Sequence, residues 1–189
     1  MDKYNVYQDM SRRTGGEIYL GIVGPVRTGK STFIKRFMEL VVIPEMTDDN
    51  EKVRTIDELP QSADGKTIMT TEPKFIPKEA AVIHFSNQET GKIRLIDCVG
   101  YLVPEAVGAI EEEKERMVKT PWSEEEIPFS KAAEIGTSKV IREHSNLGLI
   151  ITTDGSFGDI PAVNFEEALQ KTVMECEKAG KPFLILVNT

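Results

Sequence analysis

The sequence predicts an α/β domain of three layers, with a mainly parallel sheet and one antiparallel strand. Short apolar runs have the length of buried strands, at residues 18–23, 147–152 and 183–187. Apolar residues recur at helical spacing in two other segments, 30–40 and 130–144, and end signals predict a third helix over 164–180. A turn-like stretch at 86–91 separates two further apolar runs, 80–85 and 92–99, which favours an antiparallel hairpin. The resulting order (strand, helix, hairpin, helix, strand, helix, strand) supplies helices for both faces of one sheet.

Other parts of the chain are predicted from their composition and from single residues. Residues 44–79 are polar, proline-bearing and aperiodic, so we expect a long loop there that is either functional or mobile. Residues 104–128 are rich in charge and are interrupted by prolines, which indicates a solvated surface. Asn164 is a good N-cap residue with Glu167 three positions on, as in a capping box, and Gly180 is expected just past the end of that helix.

Composition limits the class of protein. The chain has 189 residues and a formal net charge of −8. It therefore suits one domain, and it lacks the basic surface that a nucleic-acid binder or a protein docked on an anionic membrane needs. No apolar run is long enough to span a bilayer. The two cysteines, Cys98 and Cys176, make no disulfide framework and are expected to be buried packing residues in a reducing cytoplasm.

The segment from Gly24 to Ser31 (GPVRTGKS) fits the pattern G-x-x-x-x-G-K-[ST] and lies between a predicted strand and a predicted helix. The glycines let backbone N–H groups turn towards phosphates, and the helix N-terminus adds a positive dipole end. Lys30 is expected to reach the β- and γ-phosphates, and the Ser31 hydroxyl to bind Mg²⁺. We therefore predict a GTPase-like P-loop nucleoside triphosphatase with nucleotide contacts from Gly24, Arg27, Thr28, Gly29, Lys30, Ser31 and Thr32. We expect residues 1–189 to be this one nucleotide-binding domain, cut short directly after an apolar run, with further domains missing.

A second motif, Asp97-Cys98-Val99-Gly100, fits the D-x-x-G pattern that ends a strand after a P-loop. Asp97 is expected to hold the hydration shell of Mg²⁺, and Gly100 to offer its N–H to the γ-phosphate. Only a residue without a side chain lets the backbone approach so closely. The long loop should add a threonine that contacts Mg²⁺ and senses the γ-phosphate. Thr70 and Thr71 are both candidates, because the proline two residues after Thr71 favours extended backbone before it.

Two positions depart from the usual GTPase pattern. Tyr101 stands where many P-loop GTPases have the glutamine that orients the attacking water, so either another group orients it or turnover is slow. Asn188 stands where the guanine-reading motif Asn-Lys-x-Asp should begin, but Thr189 follows it instead of lysine. Asn188 is therefore either a nucleotide contact or only a turn residue, and the assignment to GTP is weakened.

A resemblance to one family covers most of the chain. It is carried by the stretches TGGEIYLGIVGPVRTGKSTFIKRFMELVVIP, DELPQSADGKTIMTTEPKFIP, IRLIDCVGY, TPWSEEEIPFSKAAEIGTSKVI and ITTDGSFGDI. They resemble the N-terminal nucleotide-binding domain of the stage IV sporulation protein A family of endospore-forming bacteria. The second and fourth stretches are peculiar to that family rather than to P-loop proteins in general.

The resemblance implies an activity and a setting. It implies Mg²⁺-dependent ATP hydrolysis that drives self-assembly into a static polymer, the base layer of the spore coat. The Walker lysine, the sensor threonines and the Walker B aspartate of that family correspond here to Lys30, to Thr70 with Thr71, and to Asp97. The implied location is the mother-cell cytoplasm, at the outer forespore membrane surface and in the spore coat. The implied partners are other copies of the chain and, through a C-terminal region absent here, a small amphipathic membrane-anchoring protein and other coat proteins.

Two other functions stay open: a GTP-dependent regulatory switch, and a nucleotide-binding scaffold with negligible turnover, which Tyr101 favours. Arg27, the fourth residue of the phosphate loop, is a further catalytic candidate. In some P-loop proteins a polar residue there helps to hold a monovalent cation that offsets charge as the γ-phosphate leaves. The Arg27 guanidinium would do the same in cis, as an arginine finger does. Alternatively, Arg27 points outward and pairs with an acidic surface group.

Overall fold

The computed structural model describes residues 15–60, 71–84, 90–106, 110–111, 114–156 and 158–189, with only the backbone at 110, 111 and 114. In chain order the strands are β1 (Glu17–Val23), β2 (Lys74–His84), β3 (Thr90–Asp97), β4 (Ile110–Glu111), β5 (Lys114–Glu115), β6 (Met117–Thr120), β7 (Ser123–Pro128), β8 (Leu147–Thr153) and β9 (Phe183–Asn188). The α-helices are α1 (Lys30–Phe37), α2 (Asp49–Glu58), α3 (Phe129–Lys139) and α4 (Glu166–Lys178). None of the helices in the described part of the chain is both long and apolar enough to cross a membrane.

Five strands form the main sheet, in the order β2-β3-β1-β8-β9. Strand β1 pairs in parallel with β3 and β8, β8 pairs in parallel with β9, and β2 pairs antiparallel with β3. The predicted mainly parallel sheet with one antiparallel strand is therefore confirmed. The register places Ile22 opposite Asp97 and Thr153 opposite Asn188. Because parallel strands end at the same edge, the P-loop after β1, the end of β3 and the end of β9 meet there.

Helices cover both faces of the sheet, as predicted. On one face, Ile34 and Met38 from α1 and the turn after it pack with Leu20 and Ile22 of β1. On the other face, Val140 after α3 and Cys176 of α4 pack with sheet residues that include Val23, Ile96 and Ile150. Burial of these apolar side chains on two faces provides most of the driving force for a three-layer fold.

One helix is shorter than its apolar periodicity predicted, and another was not predicted. α1 ends at Phe37 and continues as a π-helical turn (Met38–Val42) and a 3₁₀ turn (Ile43–Glu45). α2 lies inside the segment that was predicted to be a loop. Its N-cap is Asp48, whose Oδ1 accepts the N–H groups of Asn50 at 2.7 Å and Glu51 at 3.2 Å. Within α2 only Thr55 is buried, so the sequence carries no apolar stripe that would reveal the helix.

Three further segments differ in part from what was expected. β2 begins at Lys74, well before the predicted residue 80. In the charged segment 104–128, Glu124, Glu125 and Glu126 are exposed, as expected of a solvated surface, but the segment also contains two small antiparallel pairs that were not predicted, β4 with β5 and β6 with β7. Asn164 does not cap a helix: its Nδ2 donates to the Pro104 carbonyl at 3.4 Å, and a 3₁₀ turn (Ala162–Phe165) precedes α4. The contact of Asn164 with Pro104 thus replaces the predicted capping box. At the other end of α4, Gly180 has φ +63°, as expected for a glycine just past a helix end.

Candidate nucleotide site

The loop between β1 and α1 has the shape of a phosphate-binding loop. Gly24 has φ +126°, and a Cβ atom there would lie 2.4 Å from the Ile151 carbonyl oxygen, so only glycine fits. Thr28 is fully buried and its Oγ1 donates to the Pro25 carbonyl at 3.0 Å, which closes the loop on itself. Gly29 is the N-cap of α1, and its carbonyl accepts the N–H of Phe33 at 2.9 Å. The first N–H groups of a helix have no acceptor within the helix, so the N-terminus of α1 is a place where an anion is stabilised.

Lys30 is the buried cation of this loop. Its side chain is buried, and its Nζ donates to the Pro25 carbonyl at 2.5 Å. Burial lowers the pKa of the Lys30 ammonium, against which the neighbouring Cys98 and Asp97 act to raise it. One hydrogen bond to a neutral carbonyl does not offset the cost of burying a charged ammonium, and phosphate oxygens would supply the negative charge that does.

Ser31 and Asp97 are brought together from α1 and from the end of β3. Ser31 Oγ donates to Asp97 Oδ2 at 3.3 Å, and Asp97 Oδ1 is buried without a hydrogen-bond partner in the described part of the chain. Burial raises the pKa of Asp97, while the Lys30 charge and the Ser31 hydrogen bond lower it. An unpartnered carboxylate oxygen beside a hydroxyl is a suitable donor set for the hard cation Mg²⁺. The described residues contain no group of three or more His, Cys, Asp or Glu side chains suited to a metal, so Ser31 and Asp97 would need further oxygen ligands, from phosphate, water or another hydroxyl.

Gly100, the last residue of D-x-x-G, lies against the P-loop. It has φ +93°, and a Cβ there would lie 2.2 Å from the Gly24 carbonyl oxygen and 2.7 Å from Lys30 Nζ. Cys98 beside it is buried, with its Sγ 3.5 Å from the Ile22 carbonyl oxygen, and burial raises the pKa of the thiol to about 11. The expectation that Cys98 and Cys176 are buried packing residues is confirmed.

Asn188, at the end of β9, lies beside the P-loop although 160 residues separate it from Thr28. Its Nδ2 donates to the Thr28 carbonyl at 3.2 Å and would lie 2.6 Å from a Cβ at Gly29. Its own carbonyl accepts the N–H of Asp154 at 3.4 Å. The Asn188 side chain therefore contacts the phosphate loop, and its contact with a nucleotide stays a prediction.

The remaining predicted site residues differ in how closely they reach the loop. Arg27 and Thr32 are exposed, and Arg27 has φ +60°, which is rare for a residue with a side chain and is often found at functional sites. Thr71 is buried, and its carbonyl oxygen lies 2.7 Å from where a Cβ at Gly136 of α3 would be. Thr70 lies outside the described residues. The roles of Arg27, Thr32, Thr70 and Thr71 stay predictions.

Sequence reasoning missed two features of this site. The Pro25 carbonyl accepts hydrogen bonds from both Thr28 and Lys30, although the motif leaves that position undefined. Tyr101 pairs with the P-loop through its backbone: Val26 N–H donates to the Tyr101 carbonyl at 2.9 Å, and Tyr101 N–H donates to the Gly24 carbonyl at 3.2 Å. Backbone bonds between distant segments carry no residue signature, so no sequence pattern would have revealed them.

The fold and this loop define a P-loop nucleoside triphosphatase of three α/β layers. The whole chain, residues 1–189, matches the family described as "Stage IV sporulation protein A, ATPase domain", and the chain belongs to that family. It is 56% identical over 189 residues to Stage IV sporulation protein A of Bacillus subtilis (strain 168) and 56% identical to that of Bacillus anthracis. Over 185 residues it is 50% identical to the protein of the same name from Clostridioides difficile (strain 630). The alignments cover 98–100% of this chain but only 38% of each of these relatives.

Proposed function

We propose that this chain is the ATP-hydrolysing domain of a sporulation protein, and that hydrolysis drives self-assembly of a structural polymer at the base of the spore coat. The observation that carries the enzymatic part is the convergence of Lys30, Ser31 and Asp97 at one edge of the sheet. The sporulation part rests on the family description and on the names of the relatives.

The chemistry follows from these residues. Lys30 exchanges its Pro25 carbonyl for oxygens of the β- and γ-phosphates, which repays part of the cost of burying the ammonium. Ser31 and Asp97 are the residues that would hold Mg²⁺, which neutralises charge on the phosphates when it is bound. Gly100 presents its backbone at the end of β3 against the same loop. Lys30 thus acts electrostatically, on charge that grows in the transition state.

Further residues are assigned to this site as part of the proposal. Thr70 and Thr71 sense the γ-phosphate, and Thr71 adds an oxygen to the metal. Arg27 and Thr32 lie exposed at the loop and at the first turn of α1, where an incoming nucleotide would pass. Asn188 binds the Thr28 carbonyl of the loop from the side on which the nucleotide base is expected.

The setting is also a proposal, because the chain spans 38% of the length of its relatives. We place the whole protein in the mother-cell cytoplasm, on the outer forespore membrane surface and in the coat. Its partners would be further copies of itself and, through the region beyond this domain, a small amphipathic membrane-anchoring protein and other coat proteins.

A second candidate function is a GTP-dependent switch. The position of the Asn188 side chain at Thr28 favours it, because a guanine-reading asparagine is expected at the end of that strand. Thr189 in place of the lysine argues against it.

The test is a competition titration of ATP and GTP with Mg²⁺ on the full-length protein, together with phosphate-release kinetics. We expect ATP to compete at least as well as GTP. Lys30→Ala should lower hydrolysis by about two orders of magnitude, the scale of losing one such electrostatic group. A strong preference for GTP would make the switch the better proposal, and near-parental hydrolysis by Lys30→Ala would remove the P-loop argument.

A further inference from the structure

The side chain of Tyr101, the residue after the D-x-x-G motif, is enclosed in an apolar cluster. Tyr101 is only 4% exposed and packs in a cluster with Val26, Ile160, Phe165 and other apolar residues. Lys171 of α4 lies with its Nζ 4.8 Å from the centroid of the tyrosine ring. A ring that is enclosed in this way has no free surface to offer to a water beside a phosphate.

The Tyr101 hydroxyl takes part in none of the hydrogen bonds of the described residues. It is buried without a partner there, and burial, followed by the charges of Glu175 and Glu134, raises its pKa. A phenol in this state neither deprotonates near neutral pH nor orients a second group. The contribution of Tyr101 therefore comes from its ring and its backbone.

The backbone of Tyr101 is tied to the P-loop from both sides. Its N–H donates to the Gly24 carbonyl and its carbonyl accepts the N–H of Val26, which makes a parallel bridge with Pro25. Val26 also belongs to the apolar cluster around the ring. Side chain and backbone thus fix residue 101 between the phosphate loop and α4.

Gly100 is the residue that this anchor positions. It is bonded directly to Tyr101 and touches the Gly24 carbonyl and the Lys30 ammonium so closely that no side chain fits. A shift of Tyr101 by an ångström would move the Gly100 peptide relative to Lys30. Misplacements of that size in an otherwise intact site reduce catalysis by up to about two orders of magnitude.

We propose that Tyr101 is a positioning residue that anchors the D-x-x-G loop to the P-loop, so that Gly100 and Lys30 meet the γ-phosphate in a fixed arrangement. The proposal rests on the proposed function as a nucleoside triphosphatase. A buried ring thus stands where many P-loop GTPases have a glutamine, and the hydroxyl has no role in the anchor.

The experiment compares Tyr101→Phe and Tyr101→Ala in the full-length protein. For each we measure kcat, KM, ADP affinity, affinity for a non-hydrolysable ATP analogue, and melting temperature. Phenylalanine keeps the ring, so kcat is expected within about twofold of the parent. Alanine removes the anchor, so kcat and the affinity for the analogue are expected to fall roughly tenfold or more. ADP affinity should stay within about twofold, because the P-loop that holds its phosphates is retained.

A matched control separates anchoring from stability. Ile160→Ala removes an apolar side chain from the same cluster at a position without a backbone bond to the P-loop. It should lower the melting temperature as Tyr101→Ala does and leave kcat near the parental value.

Three results would overturn the proposal. If Tyr101→Phe loses as much activity as Tyr101→Ala, the hydroxyl acts directly. If Ile160→Ala loses kcat equally, Tyr101 is only a packing residue. If the ratio of the affinities for the analogue and for ADP is the same in Tyr101→Ala as in the parent, the anchor does not affect binding of the γ-phosphate. This last readout needs no turnover, so a parent protein that binds nucleotide but does not hydrolyse it would count against the proposed function alone.

Discussion

Replacing Gly100 by alanine tests the closest approach in the site. The residue has φ +93°, a conformation that costs a residue with a side chain about 1–2 kcal/mol. The new Cβ would also lie 2.2 Å from the Gly24 carbonyl oxygen and 2.7 Å from Lys30 Nζ. Relieving such overpacking costs about 1–3 kcal/mol more. Gly100→Ala should therefore destabilise the domain by about 2–5 kcal/mol, if the two costs add.

The functional loss should exceed what the loss of stability explains. The added methyl group pushes on Lys30, and the peptide that is expected to face the γ-phosphate moves, so hydrolysis should fall by about two orders of magnitude at a temperature where the variant is folded. The assay is phosphate release, alongside thermal unfolding of the full-length protein. For a domain of this size the melting temperature should drop by roughly 4–20 °C.

Gly180→Ala is the matched control for Gly100→Ala. Gly180 also has a positive φ, +63°, but a Cβ there would meet no atom within 4 Å. It should cost only the conformational strain, about 1–2 kcal/mol, and leave hydrolysis at the parental rate. If Gly100→Ala proves as stable and as active as Gly180→Ala, then Gly100 does not lie against Gly24 and Lys30, and the reasoning about the site fails.

Three other predictions concern residues around the site and one ion pair. Replacing Thr70 and Thr71 together by alanine should leave ADP binding largely intact and abolish hydrolysis in a turnover assay; equal loss of both would assign these residues another role. Arg27→Ala should cut turnover roughly tenfold or more with little change in ATP affinity, because the guanidinium is expected to act mainly in the transition state. The parent should hydrolyse ATP without K⁺, and strong K⁺ stimulation would contradict this role. Hydrogen bonds from Lys171, and to a smaller extent from Lys131, lower the pKa of Glu134 in the folded state. The stability that ionised Glu134 gives the folded state is therefore complete above its unfolded pKa, near 4.5, and is lost as the pH falls through the lower folded pKa. Glu134→Gln should thus reduce the free energy of unfolding by roughly 0.2–1 kcal/mol at neutral pH. At a pH below the folded pKa of Glu134 the same substitution should have no effect, and an equal loss at both pH values would contradict the ion pairs with Lys171 and Lys131.

Sequence was a good guide wherever the controlling interactions are local. The spacing from Gly24 to Ser31 between a strand and a helix predicted the P-loop, because the glycines, the lysine and the hydroxyl act within one turn of chain. Short apolar runs predicted the five strands of the sheet, and apolar spacing together with helix-end signals predicted three of the four α-helices in the described part of the chain. The hairpin of β2 and β3 followed from one turn-like segment, which fixes an antiparallel pair.

Only the tertiary structure decided how distant segments meet. α2 has one buried residue, so its helical state depends on its cap and on packing rather than on an apolar stripe. Asn164 contacts Pro104 instead of capping α4, Asn188 reaches Thr28, and Tyr101 turns its ring towards α4 while its backbone binds the P-loop. Each of these contacts joins residues that are far apart in the chain, and the residue types alone allow several partners. Sheet register and helix packing select one partner for each residue. They place the ends of β1, β3 and β9 at the same edge of the sheet, where the side chains that follow these strands meet.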